Sequence, residues 1–257
     1  MTVHVQWQGV RREADRTADE PERQVLLVTM DRPERRNAVD LATLLALADA
    51  QEEASSQGAR VLVLTGAPPV FSAGADLTGV EDGAFGSALA AVLQGFGRLP
   101  CLCIAAVDGP ALGAGMQLAA ACDLRVATPG SRFGIPAARL GLAVDHWTVQ
   151  RLCQEIGWPA ARAMLLAAST ATAEELHANG FVHRLGALDA ALEWAAEIAG
   201  LAPLTIAAHK VALEHSAPPP GVDELVAAAR ERAWASADAD EGRRAFLEKR
   251  PPRFGGS

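Results

Sequence analysis

Residues 104–127, IAAVDGPALGAGMQLAAACDLRVA, decide how the rest of the chain is read. Ile104 to Val107 reads as a short apolar strand and Asp108-Gly109-Pro110 as a turn. The small-residue run Gly113-Ala114-Gly115 then leads into an apolar helical stretch ending near Asp123. Backbone N–H groups at a helix N-terminus have no partner inside the helix, and the positive end of the helix dipole lies behind them. Glycines flanking Ala114 would let a ligand come close to the main chain. Such a place suits a developing negative charge, for example the enolate oxygen formed when a thioester is deprotonated next to its carbonyl. A tight turn needed only for helix–sheet packing accounts for the same residues, and this stretch alone leaves both readings open.

Upstream, Val3 to Val10 and Gln24 to Met30 read as strands of a hairpin, with the charged segment Arg11 to Arg23 as an extended polar loop. Asp31-Arg32-Pro33 stops the second strand. Asp40 is placed to cap a helix from Leu41 to about Ala54, with Leu41, Leu44, Leu45 and Leu47 predicted on one face. Arg60 to Thr65 reads as a buried strand, Gly66 to Asp76 as a loop carrying a second glycine-alanine cluster, and Ala84 to Leu99 as a helix. Strands alternating with helices up to about residue 135 predict a layered α/β fold with crossover connections. Beyond Trp147 the pattern is helical: Trp147 to Ile156, Pro159 to Ala167, Thr172 to Asn179, Asp189 to Gly200, Pro203 to His215, Val222 to Ala235 and Asp238 to Lys249. The linker Pro218-Pro219-Pro220-Gly221 precedes the last two.

The 257 residues are half apolar and carry a formal charge of −8, which argues against disorder and against a nucleic-acid binder. An anionic ligand must then be met by local cations. Lysine occurs only at Lys210 and Lys249, so arginine supplies nearly all positive charge, and the pair Arg35-Arg36 is either a phosphate contact or a solvated face. Cys101, Cys103, Cys122 and Cys153 form no CxxC pair and have no histidine at ligand spacing, so buried thiols are expected rather than a metal site or disulfides. The N-terminus lacks an apolar signal core and no run of about eighteen apolar residues occurs. The expectation is a cytoplasmic protein with no membrane span.

Two motifs taken together resemble the paired signature of the crotonase family, also called the enoyl-CoA hydratase/isomerase superfamily: FSAGADL (Phe71 to Leu77) and AAVDGPALGAGMQLAAACDLRVA. DRPERRNAV (Asp31 to Val39) and FLEKRPPRF (Phe246 to Phe254) are similar to that family's terminal patches, so the resemblance covers about residues 23 to 254. It implies an α/β fold, a spiral of ββα repeats over residues 1–200, with a C-terminal helical oligomerisation region over 201–257 that packs trimers or dimers of trimers. The implied ligand is a fatty acyl-CoA or enoyl-CoA thioester, with no separate cofactor and no metal. Its thioester oxygen would be held by the backbone N–H groups of Ala75 and Ala114, each worth about 2.7 to 4 kcal/mol in a water-poor site. The resemblance further places Arg35 or Arg36 near the phosphates, the main chain around Ala38 and Ala73 near adenine, and Phe246 with Lys249 reaching in from the terminal helix. Phe133, Leu140, Leu142 and Trp147 would wall the acyl chain, or be ordinary core.

One departure bears on chemistry. The two glutamates of the family's hydratases fall on Gln117 and Ala137, neither of which can exchange a proton. Positioned acid–base groups contribute about 10² to 10⁴ in rate each, so ordinary hydration is not expected. Asp145, in GLAVDHWTVQRL, matches a catalytic aspartate of the family's dienoyl-CoA isomerases. It is equally well placed to cap the helix beginning near Trp147. His146 could assist it or be packed. The sequence thus leaves three readings: an isomerase-type enzyme using Asp145, an acyl-CoA binding protein without chemistry, and hydration through an unusual water network. A nucleotide dehydrogenase is disfavoured because Gly109, Gly113 and Gly115 do not make GxGxxG. A hydrolase using Ser72 is disfavoured because no nucleophile elbow surrounds it.

Overall fold

The computed structural model describes residues 2–10, 23–78, 83–216 and 224–255. In chain order the strands are β1 (Val3–Val10), β2 (Arg23–Met30), β3 (Val61–Gly66), β4 (Leu102–Val107), β5 (Pro110–Leu112), β6 (Leu124–Ala127), β7 (Arg132–Gly134), β8 (Thr170–Thr172) and β9 (Arg184–Leu185). The helices are α1 (Leu41–Ser56), α2 (Gly83–Arg98), α3 (Ala114–Ala121), α4 (His146–Leu166), α5 (Ala173–Ala178), α6 (Leu188–Ala199), α7 (Pro203–Ser216), α8 (Glu224–Trp234) and α9 (Ala237–Leu247), with 3₁₀ turns at Pro33–Arg35 and Pro136–Leu140. The predicted polar loop between β1 and β2 and the Pro218-Gly221 linker lie outside the described residues.

β1 and β2 pair antiparallel, and β3, β4, β6 and β9 extend the sheet in parallel, in the order β1-β2-β3-β4-β6-β9. A second layer is built from short segments: Val39 bridges Ala75, Ser72 bridges Ala111, and β5, β7 and β8 form a three-stranded sheet. Each turn of the chain therefore lays a strand in the large sheet, a short segment in the small layer, and then a helix. This is the crotonase-like spiral of ββα repeats, followed by C-terminal helices. The sequence reading does not single out β5, β6, β7, β8 or β9, because two to four residues are too few to show a period of two.

The large sheet is covered on both faces. Leu62, Leu64, Cys103 and Ala105 join the main core with α1, α2 and α3, whereas Val61, Val63, Ile104 and Ala106 pack with Ala191, Ala195 and Ile198 of α6. Parallel strands buried on both sides read as near-continuous apolar runs, as these do.

α1 begins where expected, with the Asp40 carboxylate accepting the Thr43 N–H at 2.7 Å. Its buried face differs from the leucine cluster: Leu44 and Leu47 are buried with Ala50 and Ala54, while Leu41 and Leu45 are exposed. At 3.6 residues per turn a face recurs every three or four positions, so adjacent Leu44 and Leu45 diverge. α4 is interrupted at Gly157 (φ 77°), matching the two helices predicted on either side of it.

The C-terminal helices are tied to the spiral by polar anchors. On α7 only Lys210 is buried, its ammonium 2.7 Å from Asp123 and 2.9 Å from the Cys101 carbonyl. Burial disfavours the charge on Lys210, but the Cys103 sulfur and Asp123 outweigh that and hold its pKa above the usual value. α9 lies directly on the Pro136–Leu140 turn: a Cβ on Gly242 would stand 2.2 Å from the Leu140 carbonyl oxygen. Trp234 adds a hydrogen bond from Nε1 to the Ala143 carbonyl at 2.7 Å. Cys101, Cys103 and Cys122 are buried and Cys153 is half-buried, all as free thiols, and burial pushes Cys122 up to about 12. No single helix among the described residues is long and apolar enough to cross a membrane, and no histidine, cysteine and acid cluster among them could hold a metal.

Candidate active site

The two signature loops occupy equivalent places in successive turns of the spiral, each between a second-layer segment and the next helix. Val39 donates to the Gly74 carbonyl and accepts from the Asp76 N–H, both at 2.8 Å. In a parallel bridge of this kind the N–H of the intervening residue, Ala75, points away from Val39. Ala114 is the first residue of α3, with Gly113 as its N-cap and no capping side chain. Among the described residues no hydrogen bond engages the N–H of Ala75 or of Ala114. The loops touch: a Cβ on Gly113 would lie 3.6 Å from the Gly74 Cα, and both glycines have positive φ (113° at Gly74, 52° at Gly113) that side chains rarely adopt. Gly115 has a different task. Its Cβ would stand 2.7 Å from the Ser72 carbonyl oxygen, so this glycine is needed for α3 to pack on the first loop. The packing reading of the glycine run therefore holds at Gly115.

A set of buried and half-buried polar residues, whose contacts with one another the sequence did not show, holds these loops. Asn37, at φ 51°, donates through Nδ2 to the carbonyls of Ala67 and Val70 (2.7 Å each) and accepts from the Arg32 N–H (2.9 Å). Ser72, fully buried, donates to the Asn37 carbonyl at 2.8 Å and accepts from the Gly74 N–H at 3.2 Å, so it braces the loop instead of presenting a nucleophile. Arg32 reaches the Ala38 carbonyl at 2.6 Å, Asp40 at 3.0 Å and Asp76 at 3.1 Å. Burial acts to raise the Asp76 carboxyl, but hydrogen bonds from Thr78 and Arg32 outweigh it and hold it below the ordinary carboxylate value. The signal available in sequence was the asparagine after Arg36, since asparagine tolerates the left-handed conformation better than most residues.

One turn beyond Ala114, Gln117 is buried and its Nε2 donates to the Thr148 hydroxyl at 2.6 Å. Asp145 is the N-cap of α4, its Oδ1 accepting the Thr148 N–H at 3.0 Å. The structure thus brings Gln117 and Asp145 together through Thr148, which the sequence did not flag. Ala137 sits half-buried in the 3₁₀ turn against the core, with Leu140, Leu142 and Trp147 half-buried around it in sequence. Phe133 departs from the expected acyl wall. It has no exposed surface and its ring meets Phe181 edge-on at 5.7 Å, so it is core. The Nδ1 of His146 is enclosed without a hydrogen-bond partner.

On the expected coenzyme side, the Ala73 N–H donates to the Arg36 carbonyl at 3.0 Å, so residues far apart in sequence share one edge with Ala38. Arg35 and Arg36 are exposed, and among the described residues no ion pair engages either side chain. Phe246 and Lys249 are exposed at the end of α9, whose packing is against the Pro136–Leu140 turn.

Residues 20–257 match the family described as enoyl-CoA hydratase/isomerase. The chain belongs to the enoyl-CoA hydratase/isomerase family. It is 41% identical over 237 residues to a probable enoyl-CoA hydratase of Mycobacterium tuberculosis, covering 91% of this chain and 96% of the relative. It is 36% identical over 252 residues to the 2,3-dehydroadipyl-CoA hydratase of Escherichia coli, again covering 91% and 96%. Among solved structures, the fold is similar to an enoyl-CoA hydratase/carnithine racemase from Magnetospirillum magneticum (TM-score 0.71, 29% identity, 91% of this chain and 92% of that one). It is also similar to a methylmalonyl-CoA decarboxylase (TM-score 0.87, 24% identity, 100% and 99%), a likeness that concerns the fold alone.

Proposed function

We propose that this family member binds fatty acyl-CoA or enoyl-CoA thioesters and polarises the thioester carbonyl between the N–H groups of Ala75 and Ala114. The observation that carries this reading is the pair of unengaged N–H groups on touching loops, one of them at the N-terminus of a fully buried helix. Fixed donors in a dry site stabilise enolate charge without reorganising as it forms. Arg35 and Arg36 offer cations for the coenzyme phosphates, with the main chain at Ala38 and Ala73 beside adenine. Leu140, Leu142 and Trp147 line the acyl side. Phe246 and Lys249 meet the coenzyme from α9.

For turnover, Asp145 is the remaining carboxylate: Oδ1 serves the helix cap, and Oδ2 is left to move a proton between carbons of the acyl chain. A second reading, a non-catalytic acyl-CoA binding protein, draws support from that same cap and from Gln117 and Ala137, which cannot ionise. The α7 face, with Leu204 84% and Leu213 72% exposed, supports residues 201–257 as the region that joins three copies, or two such trimers. A cytoplasmic location suits a coenzyme A ester ligand.

The test is incubation with trans-2-enoyl-CoA and dienoyl-CoA esters in D₂O, reading product masses, for the native protein and for Asp145→Asn. Deuterium uptake or bond migration that disappears in Asp145→Asn supports the proton shuttle. Binding with no mass change supports the binding protein. Addition of D₂O across the double bond would refute the weight placed on Gln117 and Ala137, and failure to bind any ester would refute the reading as a whole.

A further inference from the structure

Resting on the reading of Ala75 and Ala114 as a thioester clamp, we propose that Arg230 binds a carboxylate at the far end of the acyl chain. The preferred ligands are then coenzyme A esters of ω-carboxyacyl groups, held by the clamp at one end and by a guanidinium at the other.

Three observations converge on this. First, Arg230 is turned toward the body of the protein without a counter-charge. Four residues of α8 are not exposed, Val226, Arg230, Ala233 and Trp234, and their spacing puts them on one face of the helix. A guanidinium in that otherwise apolar face gives up water, which costs free energy unless a charged partner replaces it. Arg32, Arg125, Arg151 and Lys210 also point inward, and each meets a carboxylate within 3.1 Å. Among the described residues no acid pairs with Arg230. Its Nε is enclosed without a hydrogen-bond partner, and its guanidinium carbon stands 5.5 Å from the centre of the Trp234 ring.

Secondly, this cation lies on the acyl side. Trp234, one helical turn after Arg230, donates from Nε1 to the carbonyl of Ala143, next to Leu142, at 2.7 Å. Arg230 Nη2 would stand 4.0 Å from a Cβ on Gly86, in the first turn of α2. The guanidinium is thus placed between α8, the start of α2 and the stretch 140–147. Half-buried Leu89 and Val144, from the last two of these, pack on the core and offer an apolar wall for methylenes. Thirdly, the other enclosed side-chain polar atom without a partner among the described residues is His146 Nδ1, three residues after Ala143. Both unmet atoms therefore belong to the two segments that the Trp234–Ala143 hydrogen bond joins. A planar carboxylate matches a guanidinium, which offers Nε–H and one Nη–H side by side. A methyl-ended chain would leave them unmet.

Calorimetric titration tests this with pairs of saturated coenzyme A esters of equal carbon number, one ω-carboxylated and one methyl-ended, and with free coenzyme A. At the chain length that spans the two ends, the native protein should bind the ω-carboxy ester about tenfold or more tightly, the scale of a charge-assisted hydrogen bond. Arg230→Met, which keeps a long stem without the charge, should abolish that preference and leave affinity for the methyl-ended ester and for coenzyme A unchanged. Arg230→Lys, a charge without the planar fork, should restore part of it. If Arg230→Met does not fold, Arg230→Gln carries the same comparison. Loss of affinity for both esters and coenzyme A alike in Arg230→Met would assign this cation to the coenzyme phosphates and overturn the proposal. So would a native protein that binds the methyl-ended ester as tightly at every length, while the clamp stands, since both esters carry the thioester. Failure of every ester to bind overturns the clamp and the proposal with it.

Discussion

Replacing Ala114 with proline removes one of the two clamp donors with little disturbance elsewhere. Ala114 is the first residue of α3, where proline is tolerated because the N–H has no intrahelical partner and the ring fixes φ near the helical value. Gly113, at φ 52° and ψ −118°, mirrors the extended conformation favoured before proline and pays no Cβ penalty there. The folded state should therefore change in stability by less than about 1 kcal/mol. The effect on the ligand is large by comparison. Two buried N–H donors on one carbonyl are worth about 1 kcal/mol each net in binding, so the native protein should prefer a thioester to the matching thioether, which lacks the carbonyl oxygen, by about 30-fold. In Ala114→Pro the donor is gone and the ring Cδ stands where the oxygen would sit, so thioester affinity should drop to or below that of the thioether while thioether affinity holds. Calorimetry with both ligands, and thermal unfolding of both proteins, provides the readout. Equal affinity of native protein for thioester and thioether would refute the clamp. So would an unchanged preference in Ala114→Pro.

Gly115→Ala should destabilise the protein by about 1 to 3 kcal/mol in denaturant unfolding, because its Cβ would stand 2.7 Å from the Ser72 carbonyl oxygen and must part the two loops. Lys210→Met leaves the Asp123 carboxylate without its cation in a mostly buried place, and a loss of about 3 to 5 kcal/mol is expected; a loss under about 1 kcal/mol would show that α7 does not depend on this anchor. Glu241 is held at about 2 by hydrogen bonds from Arg250 and from the Arg253 N–H, below its ordinary 4.5. Because the folded value is depressed, its hold on the tail after α9 is complete above about pH 4.5 and fades as pH falls toward 2. Proteolysis by an acid-active protease should accordingly begin to clip residues 248–255 within that window and not above it.

The sequence by itself determined a layered α/β pattern, and the spiral course came with the resemblance carried by its motifs. Alternating apolar strands and helices, the Asp40 cap, the break between the helices ending at Ile156 and starting at Pro159, and the two glycine-alanine loops were all legible, because strand and helix periodicity and the special backbone needs of glycine are local properties. The resemblance carried by those motifs put the expected carbonyl donors on Ala75 and Ala114 and the absent acids on Gln117 and Ala137. What only the tertiary structure decided were relations between segments distant in the chain. Ser72 facing Ala111, Asn37 reaching Ala67 and Val70, and Lys210 reaching Asp123 join positions whose spacing carries no periodic signal. The same holds for Gly115, whose small size matters because Ser72 passes it, and for Phe133, drawn into the core by Phe181. Asp145 shows the difference most plainly. Its sequence allowed a proton carrier or a helix cap, and the fold shows Oδ1 capping α4 at Thr148, whose hydroxyl meets Gln117, since a side chain's partners follow from which elements pack together and not from its neighbours in the chain.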